Sequence, residues 1–381
     1  MKHSTRIVLA AGATAVAAAL VLSGCSSSTP SASSSGSTKL TPVTLQLQWV
    51  TQAQFAGYYA ALAQGYYKKA GRDVTIKQAG TDTVPIKSVA DGEADYAISW
   101  VPKVLGSIEQ GVNVTDVAQI YERSGTTQIS FKDKGISSVA GLKGKKVGSW
   151  GYGNQWELFA GMQKAGINTD TGISLVQQAF DMKGFLAGDI DAAQAMTYNE
   201  YAQVLETINP ATGKLYTADD LNVINWNKEG TAMLQDAIWA DAGKLQDKAF
   251  QKETVAFIKA SIQGWVYTRD NPQKAADLVT AAGSTLGTSH QLWMTNEVNK
   301  LLWPSTAGLG VIQKSAWAQT VKISEGTKDN TGATIITKAP PSTAYSNTYV
   351  DQALKELKAE GVDVMGKSFT PLTVTLKEGG K

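Results

Sequence analysis

Cysteine is almost missing from this chain: Cys25 is the only one. A lone thiol excludes an intrachain disulfide and any Cys-based metal or redox site. Histidine is nearly as scarce, with only His3 and His290 present. His3 falls in an N-terminal segment expected to be removed, which leaves His290 to the mature chain. One histidine rules out a His-rich zinc site and would force any Ser-His-Asp triad through that residue. His290 stands in Thr288-Ser289-His290-Gln291, which reads as the start of a polar-capped helix, so a surface or helix-end place is expected. Excess charge is missing too. The formal net charge is +2, and loss of Lys2 and Arg6 brings it to zero, so nothing points to nucleic acid or a polybasic membrane surface. Catalysis by carboxylates alone stays open, but the composition is poor for an enzyme and calls for no cofactor or metal.

What is present begins at the N-terminus. Lys2 and Arg6 precede the apolar run Ile7 to Leu22, which is short for a bilayer span, and Leu22-Ser23-Gly24-Cys25 follows. This is the layout of a cleaved secretory signal over residues 1–24. The cut at a cysteine resembles a bacterial lipobox, in which Cys25 is diacylated and becomes the mature N-terminus. Acyl chains anchor at about 0.8 kcal/mol per buried methylene, so an extracytoplasmic, membrane-tethered protein is expected. A Ser-rich linker, 25–41, then acts as a flexible leash.

The remaining length suits two domains, and one pattern occurs twice within it. Val43 to Trp49 alternates as a strand ending in an aromatic. A helix with Phe55, Tyr59, Leu62 and Tyr66 at helical spacing follows, then the strand Asp73–Ile76, and Asp91-Gly92-Glu93-Ala94-Asp95 leads into Tyr96–Trp100. The echo starts at Lys146–Trp150 and passes through a helix with Leu158, Phe159 and Met162. It continues with Ile173–Val176 and ends with Ala187-Gly188-Asp189-Ile190-Asp191 leading into Ala192–Tyr198. Strands alternating with helices predict parallel α/β layers, and one repetition predicts two similar lobes. Asp95 and Asp191 read as structural turn residues. Helices are predicted over Lys248–Tyr267, Pro272–Ala281 and Gln291–Leu302.

Open α/β sheets bind ligands beyond the carboxyl ends of their strands. That rule brings Trp49, Gln54, Tyr58, Ser99 and Trp100 to one mouth. It brings Trp150, Tyr152, Asn154, Gln155, Asp181, Tyr198, Asn199 and Glu200 to the other, with a cleft between them.

Leu47-Gln48-Trp49, Gln54-Phe55-Ala56-Gly57-Tyr58-Tyr59 and Gly65-Tyr66-Tyr67-Lys68-Lys69-Ala70-Gly71 resemble a family of extracytoplasmic solute-binding proteins. Gly148 to Asn154, Asp191 to Glu200 and Trp303-Pro304-Ser305 are similar to it as well. The family includes thiamine-pyrimidine, riboflavin and sulfonate binders of ABC importers. The resemblance implies an α/β, type II periplasmic binding protein fold: two lobes joined by two hinge strands. Lobe 1 is expected over 42–124 plus 231–381 and lobe 2 over 125–230, with crossovers near Tyr121–Gln128 and Trp226–Leu234. It also implies an ABC permease and ATPase as partners, and a monomer is expected. Pyrimidine-synthesising eukaryotic relatives carry a cysteine cluster and a sacrificial histidine, neither of which is present here.

Several of these residues have two readings. Trp49 and Trp150 either cap the core or form two aromatic faces for a planar ligand, which adds about 0.5–1.5 kcal/mol beyond burial. Tyr59 and Tyr66 fall on the apolar stripe, and Tyr58 is one residue off it. Asn154 and Gln155 either cap a helix or offer donors to a ligand. Asp181 is a cap or a ligand acceptor, and Glu157 a first-turn acid. The expected lining has no arginine, and its polar members are mostly amides and acids. That favours a neutral or weakly basic heterocycle, a thiamine-precursor pyrimidine or riboflavin, over a sulfonate. The alternatives are a sulfonate or taurine receptor, a sensor serving a membrane kinase, and an extracellular enzyme using a carboxylate pair such as Glu157 and Asp181.

Overall fold

The structure, a computed structural model, describes residues 39–80 and 82–381. The signal segment, Cys25 and most of the Ser-rich linker lie outside the described residues. The first lobe opens with β1 (Thr41–Gln46), α1 (Ala56–Ala63), α2 (Tyr66–Lys69), β2 (Arg72–Lys77), α3 (Pro85–Ala90), β3 (Tyr96–Trp100), α4 (Val101–Glu109) and β4 (Val114–Gln119). The chain then crosses to β5 (Thr126–Phe131), β6 (Lys146–Ser149), α5 (Trp156–Lys164), β7 (Ser174–Gln177), α6 (Lys183–Leu186), β8 (Ala193–Met196) and α7 (Glu200–Leu205). A small ribbon, β9 (Ile208–Asn209) and β10 (Lys214–Leu215), precedes β11 (Leu221–Asn225) and α8 (Trp226–Glu229). The chain returns through β12 (Asp236–Asp241) to α9 (Lys248–Asp270), α10 (Pro272–Ala281), α11 (Thr288–Leu302), α12 (Lys314–Gly326) and α13 (Thr348–Ala359). No helix among the described residues is long and apolar enough to cross a membrane.

The first lobe's sheet has the order β2-β1-β3-β12-β4. β1 runs parallel to β2 and β3, as the alternation predicts, but β12 is antiparallel to β3 and β4. The sheet is therefore mixed, for a simple reason. The chain leaves this lobe at the carboxyl end of β4 and re-enters at the same end through β12, which must then run the other way. The second lobe is divided: β6 and β7 pair in parallel, β5 pairs antiparallel with β8 and β11, and a single bridge, Val147 to Ala192, joins the two sheets. The repeated turn acids do matching work. Asp95 Oδ2 accepts from the Thr44 amide at 2.9 Å, and Asp191 Oδ2 accepts from the Lys146 amide at 3.0 Å. Each ties the turn before one strand to the strand that opens its own repeat, β1 or β6.

α9 anchors the larger core. Asp247 caps it by accepting from the Ala249 and Phe250 amides, which would otherwise be orphan donors. Its stripe of Phe257, Ile258, Ile262 and Trp265 is buried, and such side chains each contribute about 1.5–3 kcal/mol on burial. It meets α1 almost backbone to backbone, since a Cβ on Gly264 would stand 2.0 Å from the Gly57 carbonyl oxygen. α9 and α11 run slightly beyond their predicted spans, to Asp270 and from Thr288.

The two crossovers are fastened to each other. Gln119 Nε2 donates to the carbonyls of Tyr121, Gln235 and Asp236. Gln235 Oε1 accepts from the Gly125 amide, and Asn227 exchanges two hydrogen bonds with Ser124. Glu157 completes the set: its carboxylate accepts from the Ser124 hydroxyl at 2.9 Å and the Met233 amide at 2.6 Å.

Candidate functional site

A cavity of about 450 Å³ lies at the strand ends between the lobes, within the size range of small-molecule sites. Of the residues expected there, Trp49, Gln54, Ser99, Trp100, Trp150, Tyr152, Asn154, Tyr198, Asn199 and Glu200 line it. Three others do not. Tyr58 is 1% exposed and packs edge-on against Trp265, with ring centroids 5.6 Å apart. α1 is buried nearly all round, so a residue one step off its stripe is still core. Gln155 sits just before α5 with its Oε1 buried and unpartnered among the described residues. Asp181 turns back on its own segment, accepting from the Lys183 amide at 3.0 Å, and leaves the cavity to its neighbour Phe180.

Each wall has a buried organiser that sequence reading missed. In lobe 1 it is Asp236, 2% exposed at the start of β12. Its Oδ1 accepts from Gln48 Nε2 at 2.6 Å and Trp100 Nε1 at 2.8 Å, and its Oδ2 from Gln54 Nε2 at 3.0 Å. Burial pushes its carboxyl up to about 6, against the pull of those donors. In lobe 2 it is Gln194. Its Oε1 accepts from the Ser149 hydroxyl and the Trp150 amide, while its Nε2 donates to the Asn154 carbonyl. Asn154 donates to the Gly151 carbonyl at 2.8 Å and so closes its own loop instead of capping α5. That loop holds three successive positive φ angles, 67° at Gly151, 50° at Tyr152 and 80° at Gly153, and it presents Tyr152 78% exposed. Nothing in the sequence separates Asp236 or Gln194 from other polar residues in strands. Their importance comes from partners far along the chain.

The tryptophans differ from the expected facing pair. Trp49 is half-buried, Trp150 is 3% exposed, and Phe180 stands near both. Its ring centroid is 4.7 Å from that of Trp49, tilted by 48°, and 6.4 Å from that of Trp150 at 18°. The chain thus brings an aromatic of its own against both rings. Phe180 directly precedes the singled-out Asp181, and this adjacency was the available signal.

Glu200, 3% exposed, has both oxygens engaged. One accepts from the Met196 amide and the other from Asn199 Nδ2. Burial pushes its carboxyl up to about 7. The Asn199 Oδ1 faces His290 Nε2 at 3.1 Å, and His290 Nδ1 lies 2.9 Å from Glu206. His290 is therefore in the first turn of α11 as expected but not on the surface: it is 1% exposed. It supports a cleft residue from behind.

The remaining charged lining group is Lys103, in the first turn of α4, three residues after Trp100. Its ammonium lies 5.0 Å from the Trp100 ring centroid, and burial pushes it down to about 8. The lining holds no arginine, as expected, but it does hold this lysine beside the amides and acids. The lysine's place in the turn that directly follows the strand end Ser99-Trp100 was the missed clue. The suggested carboxylate pair is not formed in the cleft, because Glu157 braces the crossovers and Asp181 caps its turn. Among the described residues, no group of His, Cys, Asp and Glu is placed to hold a metal ion.

Two α/β lobes, two crossovers and an aromatic cavity between strand ends define the architecture of a type II periplasmic binding protein. A sulfonate-binding SsuA from Methylobacillus flagellatus has the same fold, with a TM-score of 0.58 at 17% identity over 89% of this chain and 99% of that one. Residues 52–275 match the family described as NMT1/THI5 like, and the chain belongs to that family. The riboflavin-binding protein RibY of Chloroflexus aurantiacus is 26% identical over 68% of this chain and 74% of that one. A formylaminopyrimidine-binding protein of Halalkalibacterium halodurans is 24% identical over 69% of this chain and 76% of its own. A 4-amino-5-hydroxymethyl-2-methylpyrimidine phosphate synthase of Saccharomyces cerevisiae is 26% identical, over 28% of this chain and 32% of its own.

Proposed function

We propose that this chain is the substrate-binding lipoprotein of an ABC importer and captures a small planar heterocycle, a thiamine-precursor pyrimidine or riboflavin, between its lobes. The observation that carries this reading is the cavity itself, lined by Trp49, Trp100, Trp150, Phe180 and Tyr198 at the junction of two separately built lobes. The relatives aligned over two thirds of the chain are named for binding riboflavin and formylaminopyrimidine, which supports the ligand class. A receptor role fits better than catalysis, since the cleft carboxylates are engaged in holding the walls. Closure would bend the Tyr121–Gln128 and Trp226–Leu234 crossovers, with the ligand favouring the closed form by its differential contacts. Cys25 would carry the lipid, and a permease with its ATPase would receive the cargo.

Thermal unfolding of the mature protein with riboflavin, a 4-aminopyrimidine and taurine tests this reading. Ligand at a hundred times its Kd stabilises by about 2.7 kcal/mol. A shift with either ring compound supports the heterocycle, and a shift with taurine alone transfers the protein to the sulfonate receptors. Product formation from a bound probe would replace the receptor by an enzyme. For the anchor, Cys25→Ala is expected to move the protein from the membrane to the soluble fraction and abolish acyl labelling.

A further inference from the structure

Resting on the heterocycle reading, the polar groups of the cleft divide into engaged and free, and the free cation is Lys103. Gln54 and Trp100 donate to Asp236, and Glu200 accepts from Met196 and Asn199. Asp236 is the carboxylate whose charge reaches Lys103, yet its oxygens are held by Gln48, Gln54 and Trp100. Among the described residues, no ion pair and no hydrogen bond joins the Lys103 ammonium to another group. Its stem is packed by lobe 2, where a Cβ on Gly153 would stand 3.4 Å from Lys103 Cγ. The ammonium therefore lies at the lobe junction, on the Trp100 face, as a donor lacking an acceptor. Half-buried on the cavity wall, the ammonium keeps its donors turned to whatever enters the cleft. The cleft carboxylates are already held by the walls, Asp236 by three donors and Glu200 by one on each oxygen.

We infer that Lys103 is a specificity-determining residue that selects planar rings presenting a carbonyl edge to it: the imide edge of a pyrimidinedione over the amine edge of an aminopyrimidine. The carbonyl oxygen accepts from Nζ while the ring lies among the cleft aromatics. An exocyclic amine at the same place sets donor against donor and is rejected.

The test is calorimetric titration of the mature wild-type protein, Lys103→Met and Lys103→Arg with riboflavin, 4-amino-5-hydroxymethyl-2-methylpyrimidine and taurine. Wild type is expected to prefer riboflavin. Lys103→Met should weaken riboflavin roughly 10- to 100-fold, the range for a hydrogen bond to a charged group, and leave the aminopyrimidine unchanged or tighter. Lys103→Arg should keep most of the riboflavin affinity. Unchanged riboflavin binding by Lys103→Met, an equal loss for both rings, or a wild-type preference for the aminopyrimidine overturns the inference and leaves the heterocycle receptor standing. Binding of taurine alone, or of none of the three, overturns the heterocycle reading and the inference with it. The wild-type preference needs no variant, so the test survives a Lys103→Met protein that fails to fold.

Discussion

The two walls of the cleft solve one problem in different ways. Each must hold a tryptophan at a strand end with its neighbours in register. Lobe 1 does so with an anion, Asp236, which gathers Gln48, Gln54 and Trp100. Lobe 2 uses a neutral amide, Gln194, which gathers Ser149, Trp150 and Asn154 and is itself held by Gln178. A carboxylate accepts from several donors at once but must be desolvated, whereas an amide both accepts and donates at no charge cost. The charged solution appears where a cation, Lys103, also faces the cleft. On the inference drawn from Lys103, lobe 1 is the wall that would read the ligand's polar edge, and lobe 2 the wall that would supply shape.

Removing the two organisers breaks this comparison directly and has the largest expected effect. Asp236→Ala leaves three donors, two of them buried, without an acceptor and should destabilise by about 3 kcal/mol, while Gln194→Ala should cost about 2 kcal/mol. Urea unfolding measures both, and an equal or reversed order would mean that the charge of Asp236 adds nothing to its geometry. The next effect is that of pH. Burial pushes Glu157 up to about 8, Glu122 and Glu200 to about 7 and Asp236 to about 6. Folded-state values above the unfolded ones mean that the folded protein binds more protons between them. Stability should therefore be greatest near the unfolded carboxylate range and fall as pH rises from about 5 to about 8. Thermal midpoints across that range check the sign. Asp236→Ala should flatten the portion below about pH 6, and Gln194→Ala should leave the curve's shape alone.

Much of this was legible in the sequence because it is local. Strand alternation, the Gly-acid-x-Asp turns and the aromatic strand ends each occupy a few consecutive residues, and they located the lobes and most of the cleft lining. What stayed hidden depends on distance along the chain. Asp236 meets Gln48, His290 meets Asn199, and Phe180 reaches Trp49 across the lobes. No local pattern marks such partners. Tyr58 was misplaced for the opposite reason: a helix buried on nearly every side has no exposed stripe for helical spacing to reveal.

Phe180 sharpens the comparison between the walls, because it belongs to lobe 2 yet lies closer to the lobe 1 tryptophan. A planar ligand stacking on the side of Trp49 that Phe180 covers must displace it. Phe180→Ala should then tighten binding of the planar probe by roughly 2- to 10-fold, the worth of one aromatic pairing, measured by fluorescence titration. Weaker binding would instead make Phe180 one of the faces that grips the ring.

The smallest effect expected is at Tyr152, which belongs to the lobe 2 loop and has no counterpart of its kind in lobe 1. It is the only non-glycine among the described residues with a positive φ, at 50°. Left-handed backbone disfavours a residue with a Cβ by about 1–2 kcal/mol, and glycine returns part of that through its freer unfolded chain, so Tyr152→Gly should stabilise by about 0.5 kcal/mol. The ring itself is largely in solvent, so its removal forfeits little packing. If the loop holds a strained conformation in order to set this tyrosine at the cleft mouth, the same variant should bind the planar probe less tightly while unfolding at a higher temperature. Opposite movements of affinity and stability would mark a residue kept for the ligand. A fall in both would show that Tyr152 packs the loop, and the shape-supplying role of lobe 2 would then rest on Trp150 and its amide support.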